Sequence, residues 1–181
     1  MKQLKARYLV YTSLFIAIAI VLAQIVKVLP LGTPGAILLP MHIPILLCGF
    51  ICGKKYGLLA GILTPFIAFL ISGMPIIFPV GLSMMFELAT YGFVAGYTYK
   101  NMKLNPYISL LASLLIGRIV FGVAGAILYG FSNFDFGLQM FIQAAFIIAL
   151  PGILIQLINI IPLVKAIEKI QTQNKLPQVN A

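Results

Sequence analysis

Two residues in this sequence carry full charge inside long apolar runs: Glu87 and Arg118. A charge in hydrocarbon is expensive, so such residues face a partner, a cavity or a bound polar molecule. The arginine fork offers paired donors in fixed geometry and suits a carboxylate. A buried carboxylate accepts hydroxyl, amide or ring N–H donors. The chemistry available is therefore recognition. No catalytic pattern accompanies it: there is one histidine, no histidine–carboxylate metal spacing, no G-x-S-x-G and no G-x-x-x-x-G-K-[ST]. Without a nucleotide site the chain cannot power uphill transport itself.

The residues around this pair define its solvent. Hydrophobic residues make up 62% of the 181-residue chain, charged residues only 8%, and the mean hydropathy is +1.11. A soluble domain needs about a quarter of its residues charged to cover its surface, so this is an integral membrane protein, all-α, read as a single six-helix membrane domain over residues 1–181. The formal charge of +9 does not point to nucleic acid, because the basic residues lie between apolar segments with no basic face interleaved with exposed aromatics. Met1 to Leu29 starts like a signal peptide, but the apolar stretch from Tyr8 to Val26 is too long for an h-region and no A-x-A site follows. It reads as a first membrane helix. Trp is absent, which leaves interfacial anchoring to Tyr and Phe. Cys48 and Cys52, one turn apart in an apolar run, read as buried thiols.

Breaks at Lys27–Pro34, Gly53–Lys55, Ser72–Pro79, Lys100–Pro106 and Phe131–Gly137 leave six apolar segments: Tyr8–Val26, Ile37–Cys52, Tyr56–Ile71, Val80–Tyr99, Tyr107–Tyr129 and Leu138–Val164. The second is shorter than the ~20 residues a span needs and contains Pro40 and Pro44, so hydropathy alone leaves a re-entrant arm open. Charge decides it. With six spans and the N-terminus inside, Lys2, Lys5, Arg7, Lys54, Lys55, Lys100, Lys103, Lys165, Lys169 and Lys175 face the cytoplasm, and only Lys27 lies outside. Were the second segment not to span, every later loop would invert, against the positive-inside rule. Both termini are expected on the cytoplasmic side of the plasma membrane.

This orientation sets depths. At 1.5 Å per residue, Glu87 lies ~12 Å below the outer surface in the fourth helix and Arg118 ~16 Å below it in the fifth. The helices are sequential and antiparallel, so an ion pair, direct or bridged by a ligand, is geometrically reasonable. The bland alternative is a pair that only orders the bundle. A purely structural pair gains little over apolar packing, which favours a role in binding. Other polar groups share the outer half. His42 opens the second helix, where a lone histidine reads more readily as a satisfied helix-end residue than as a ligand. Asn133 and Asp135 fall in the last outer loop, Asp135 as a solvated residue. Gln139 and Gln143 share a face of the sixth helix, to offer amides to a ligand or to sit among headgroups. Gln156 and Asn159 lie deeper, where interhelical hydrogen bonding is expected.

Small residues recur at helical spacing in Ala19/Ala23, Gly57/Gly61, Gly92/Gly96 and Gly122/Ala126. Such pairs let backbones approach closely in lipid, either within the bundle or against another membrane protein. The outer stretches Pro30–Gly35 and Ser72–Pro79 are apolar and rich in Gly and Pro, unlike solvated linkers, and suit a lid over an outward-facing pocket. Six spans without a detectable inverted repeat are few for a self-sufficient secondary transporter.

The runs Leu39-Pro40-Met41-His42-Ile43-Pro44, Gly53-Lys54-Lys55-Tyr56-Gly57, Thr64-Pro65, Ser72-Gly73-Met74-Pro75 and Phe86-Glu87-Leu88-Ala89-Thr90-Tyr91-Gly92 resemble the substrate-binding S components of energy-coupling factor (ECF) vitamin transporters. The likeness covers essentially the whole chain, and the Met41–Pro44 and Phe86–Gly92 blocks are most similar to the pantothenate type. It implies a subunit that binds a small vitamin and delivers it inward by toppling. It also implies a transmembrane coupling subunit and two cytoplasmic ATPases as partners, with ATP and Mg used by those ATPases and no cofactor in this chain. Ala19 and Ala23 are similar to the small-residue motif that contacts the coupling subunit. Arg118 would take the pantothenate carboxylate, with Glu87, Gln139, Gln143, Asn133 and His42 around the rest of the ligand. Arg118 suits nicotinate or another anionic vitamin equally, and Glu87 suits a hydroxymethylpyrimidine or queuosine precursor; folate and riboflavin stay open too. From a different class, a membrane scaffold or assembly protein also fits the small-residue faces.

Overall fold

The computed structural model describes residues 2–30, 34–130 and 147–173, and all regular structure among them is helical. The helices are α1 (Lys2–Lys27), α2 (Pro34–Leu38), α3 (His42–Cys52), α4 (Lys54–Ser72), α5 (Leu82–Gly96), α6 (Pro106–Gly130) and α7 (Leu150–Gln173). Six stretches among the described residues are long and apolar enough to span a membrane, the second being Gly35–Cys52. The expected six-span, all-α architecture is what forms.

The second span is broken, and its prolines say why. Pro40 cannot extend α2, and the residue before a proline is disfavoured in the α region. Leu39 accordingly turns to φ 50°, and the chain restarts when the His42 amide donates to Leu39 O at 3.1 Å. Pro44 falls in the first turn of α3, where its missing N–H costs nothing. The break seats His42 at the head of α3, which is buried along almost its whole length and packs on α1, α4, α5 and α7. It is the central post of the bundle.

Gly53 alone reverses the chain between α3 and α4. Its φ of 93° and ψ of 174° lie in a region open essentially only to glycine. The outer connection after α4 closes on Gly73 at φ 67°, and Ser72 Oγ donates to Ala68 O and Met74 O. The irregular turn Ile77–Gly81 that follows lies against α4, α5 and α6. This candidate lid segment is thus seated on the helices that carry Glu87 and Arg118. Of the other candidate lid, residues 31–33 lie outside the described residues, as do the first residues expected in the sixth span.

At the opposite end, aromatic and basic residues from distant parts of the sequence interlock. The rings of Tyr8 and Tyr56 sit 5.5 Å apart. Lys100 Nζ donates to Ile51 O and lies over the Tyr8 ring. Tyr99 OH donates to Glu168 Oε2 at 2.9 Å, and Lys165 stands over Tyr107. The start of α1, the α3–α4 turn, the α5–α6 connection and the late part of α7 therefore share one face, which the positive-inside rule assigns to the cytoplasm. Tyrosine takes the anchoring place of the absent Trp.

Candidate functional site

Three helices bring their polar side chains to one point. From α5 come Glu87 and, one turn later, Tyr91; from α6 comes Arg118; from the head of α3 comes His42. Arg118 Nη1 donates to Glu87 Oε1 at 2.8 Å, and Tyr91 OH donates to the same oxygen at 2.9 Å. His42 Nε2 stands 3.6 Å from Glu87 Oε2, with its ring tilted against Tyr91 at a centroid distance of 5.4 Å. Exposure is 2% at Glu87, 4% at Arg118, 1% at His42 and zero at Tyr91. The depth match drawn from the sequence is realised as a direct ion pair.

The cluster holds more polar capacity than its own members use. Arg118 Nε and Nη2, and both ring nitrogens of His42, are buried and meet no hydrogen-bond partner among the described residues. Buried polar atoms in folded proteins are nearly always paired, so these atoms call for partners outside the described residues. Glu87 Oε1 is engaged by Tyr91 and Arg118, whereas among the described residues Oε2 faces His42. The arrangement therefore combines an anchored guanidinium with two spare donor directions, an imidazole able to donate or accept, and one available carboxylate oxygen. It can hold a small molecule bearing a carboxylate and neighbouring hydroxyl or amide groups.

Tyr91 was not singled out from the sequence. Its signal was present: it follows Glu87 by four residues and so shares its helix face. Gly117, next to Arg118, is what admits it, because a Cβ there would collide with the Tyr91 ring. His42, which by position alone reads more readily as a satisfied helix-end residue but which the resemblance includes in the ligand set, lies inside the polar cluster. Asn133, Gln139 and Gln143 lie outside the described residues, as does Asp135.

One expectation is corrected. Asn159 is exposed and donates to Ile155 O of its own helix at 2.8 Å, not across to a neighbour. Gln156 is fully buried, and neither its Oε1 nor its Nε2 has a partner among the described residues. A buried amide left without a partner is costly, whereas an apolar group of similar shape is not, and among the described residues Gln156 has none. Gln156→Leu should therefore raise the melting temperature of the detergent-purified, ligand-free protein, by the equivalent of roughly 1–3 kcal/mol; a drop in melting temperature would mean that the amide is already paired. Ala19 is fully buried and Ala23 packs partly buried against the core. The pair therefore lies against the bundle, while Val10, Leu14, Ile18, Val21 and Ile25 form the exposed face of α1. Cys48 and Cys52 are buried free thiols, Cys48 Sγ lying 3.8 Å from Thr12 Oγ1.

Fold and site together define a multi-pass membrane protein with a polar cluster buried in its helical bundle. A family model described as "ECF transporter, substrate-specific component" matches residues 7–168. The chain belongs to this family, and so is a substrate-specific membrane subunit of an ECF importer. The family associates with an ECF module of coupling subunit and ATPases, takes a small-molecule substrate and implies no catalytic activity of its own. No curated protein and no solved structure was found to match the chain.

Proposed function

We propose that this subunit binds an anionic vitamin, pantothenate, at the Glu87–Arg118 cluster from the outer face of the plasma membrane. It releases the vitamin inward when a coupling subunit and two ATPases, which use ATP and Mg, engage it. The observation that carries the reading is the half-used arginine: one arm is fixed by Glu87, and Nε and Nη2 remain unpaired and buried among the described residues. A carboxylate approaching that edge finds a preoriented donor pair. Glu87 Oε2 and His42 stand beside it for the hydroxyls and amide of the same molecule. Asn133, Gln139 and Gln143, which follow α6 in the sequence, complete the proposed ligand set.

A thermal-shift panel on the detergent-purified chain, without ATP, tests this. Pantothenate at 100 times its dissociation constant should stabilise the protein by about 2.7 kcal/mol, and native mass spectrometry should show one bound molecule. Nicotinate, hydroxymethylpyrimidine, a queuosine precursor, folate and riboflavin belong in the same panel. A shift with a cationic or neutral member and none with pantothenate would reassign the ligand. Silence across the panel, with a membrane protein still co-purifying, would favour a scaffold.

A further inference from the structure

Away from the polar cluster, α4 and α5 leave between them a groove of about 470 Å³, lined by Leu58, Ile62, Leu82, Met85, Phe86 and Phe93, with Ala89 and Thr90. Its walls are hydrocarbon and aromatic, and the hydroxyl of Thr90 is turned back onto Phe86 O of its own helix at 2.7 Å. Along α5 it runs from Leu82 to Phe93, eleven residues or ~16 Å of helix, and along α4 its lining falls at Leu58 and Ile62, in the first turns after Lys54, so a chain anchored at the inner end reaches past the bilayer midplane. Leu58, Ile62, Phe86 and Phe93 remain substantially exposed, so the groove opens to the bilayer.

Its inner mouth is charged. Phe93 stacks on Tyr97 at 5.9 Å with the planes 10° apart, and Lys54 Nζ lies 4.7 Å from the centroid of the Tyr97 ring. Lys55 is the next residue, is exposed, and lies one turn before Leu58. An unbroken line of contacts thus runs from the apolar groove through two stacked rings to a lysine at the cytoplasmic headgroup level.

We propose that this groove is a site for one anionic phospholipid of the inner leaflet, with an acyl chain between α4 and α5 and its phosphate at Lys54 and Lys55. The charge at the mouth selects the headgroup, since a basic side chain near the membrane surface favours an anionic lipid by about 1 kcal/mol. The lining selects a chain over a protein helix. Helices pack in membranes through small residues that let backbones approach, and this groove is walled by Leu, Ile, Met and Phe. The glycines of α4 and α5 are used up against each other on the buried side.

The full-length protein, purified in mild detergent, is titrated with palmitoyl-oleoyl phosphatidylglycerol or phosphatidylcholine and examined by native mass spectrometry. One phosphatidylglycerol should be retained in preference to phosphatidylcholine. Lys54→Gln and Lys55→Gln should each weaken that preference about fivefold, and together ~25-fold, while Lys100 and Lys103 continue to set topology. Thr90→Phe, which fills the groove at its side, should displace lipid of either headgroup and leave the thermal response to pantothenate unchanged. Equal retention of both lipids in the wild type, a preference unmoved by the lysine variants, or a co-purified polypeptide crosslinked to position 86 in place of lipid would each overturn the proposal.

Discussion

Replacing Arg118 with alanine should abolish binding of a carboxylate vitamin and also destabilise the protein by about 3–5 kcal/mol, the usual cost of removing one member of a buried ion pair. The two effects have separate origins, so they separate experimentally. The stability loss comes from Glu87, whose Oε1 keeps Tyr91 but loses its cation at 2.8 Å. The binding loss is expected from Nε and Nη2, which have no partner among the described residues. Removing both charges, as Glu87→Leu with Arg118→Leu, should recover most of the stability, because apolar packing often matches or exceeds a buried pair. Binding should not return. Arg118→Lys keeps the charge but loses the fork, and should hold the fold while weakening the ligand by at least tenfold. Thermal melts with and without pantothenate check all three variants. Wild-type affinity in the recovered double variant would assign the cluster to bundle order alone and move the ligand elsewhere.

The pairing of Glu87 with Arg118 was legible because two rules of the bilayer compound. Hydropathy fixes where helices run, lysine distribution fixes their direction, and a constant rise per residue converts position into depth. The six spans follow from the same rules. What they cannot supply is rotation about each helix axis. Ala19 shows this: its spacing from Ala23 identifies a small-residue face but not the side it points to, and packing turned it inward. His42 entered the expected ligand set through the resemblance and not through its position, for another reason. Its place depends on how far the chain is deflected at Leu39 and Pro40, a local geometry that apolar segment lengths do not report. Tyr91 escaped because a tyrosine in a tyrosine-bearing membrane protein reads as an interfacial anchor. Its helical register with Glu87 was the better signal, and the glycine opposite it, Gly117, makes room for the ring beside Arg118.

The second large effect belongs to the glycines that let α3, α4 and α5 meet. At Gly92 an added Cβ would fall on the backbone of Gly57, and at both Gly49 and Gly57 it would fall on the backbone of Gly92. Gly61 and Gly96 meet the backbones of Leu88–Ala89 and Gly53–Lys54 in the same way. Helix propensity alone says that Gly→Ala in a helix interior should stabilise by nearly 1 kcal/mol. Backbone against backbone reverses the sign, since no side chain can rotate away and whole helices must part. Overpacking of a core costs about 1–3 kcal/mol where side chains can adjust, so Gly92→Ala should cost at least the upper part of that range. Gly35→Ala in α2, where a Cβ meets nothing within 4 Å, is the control and should change the melting temperature little. The consequence reaches the site. Gly92 adjoins Tyr91 on α5, and Gly49 lies two turns below His42 on α3. Forcing α3, α4 and α5 apart therefore moves His42 and Glu87 away from each other. Gly92→Ala is expected to lower both the melting temperature and vitamin affinity, although Gly92 is not among the ligand-facing groups. A stable Gly92→Ala protein with unchanged binding would show that this three-helix contact is looser than the structure draws it.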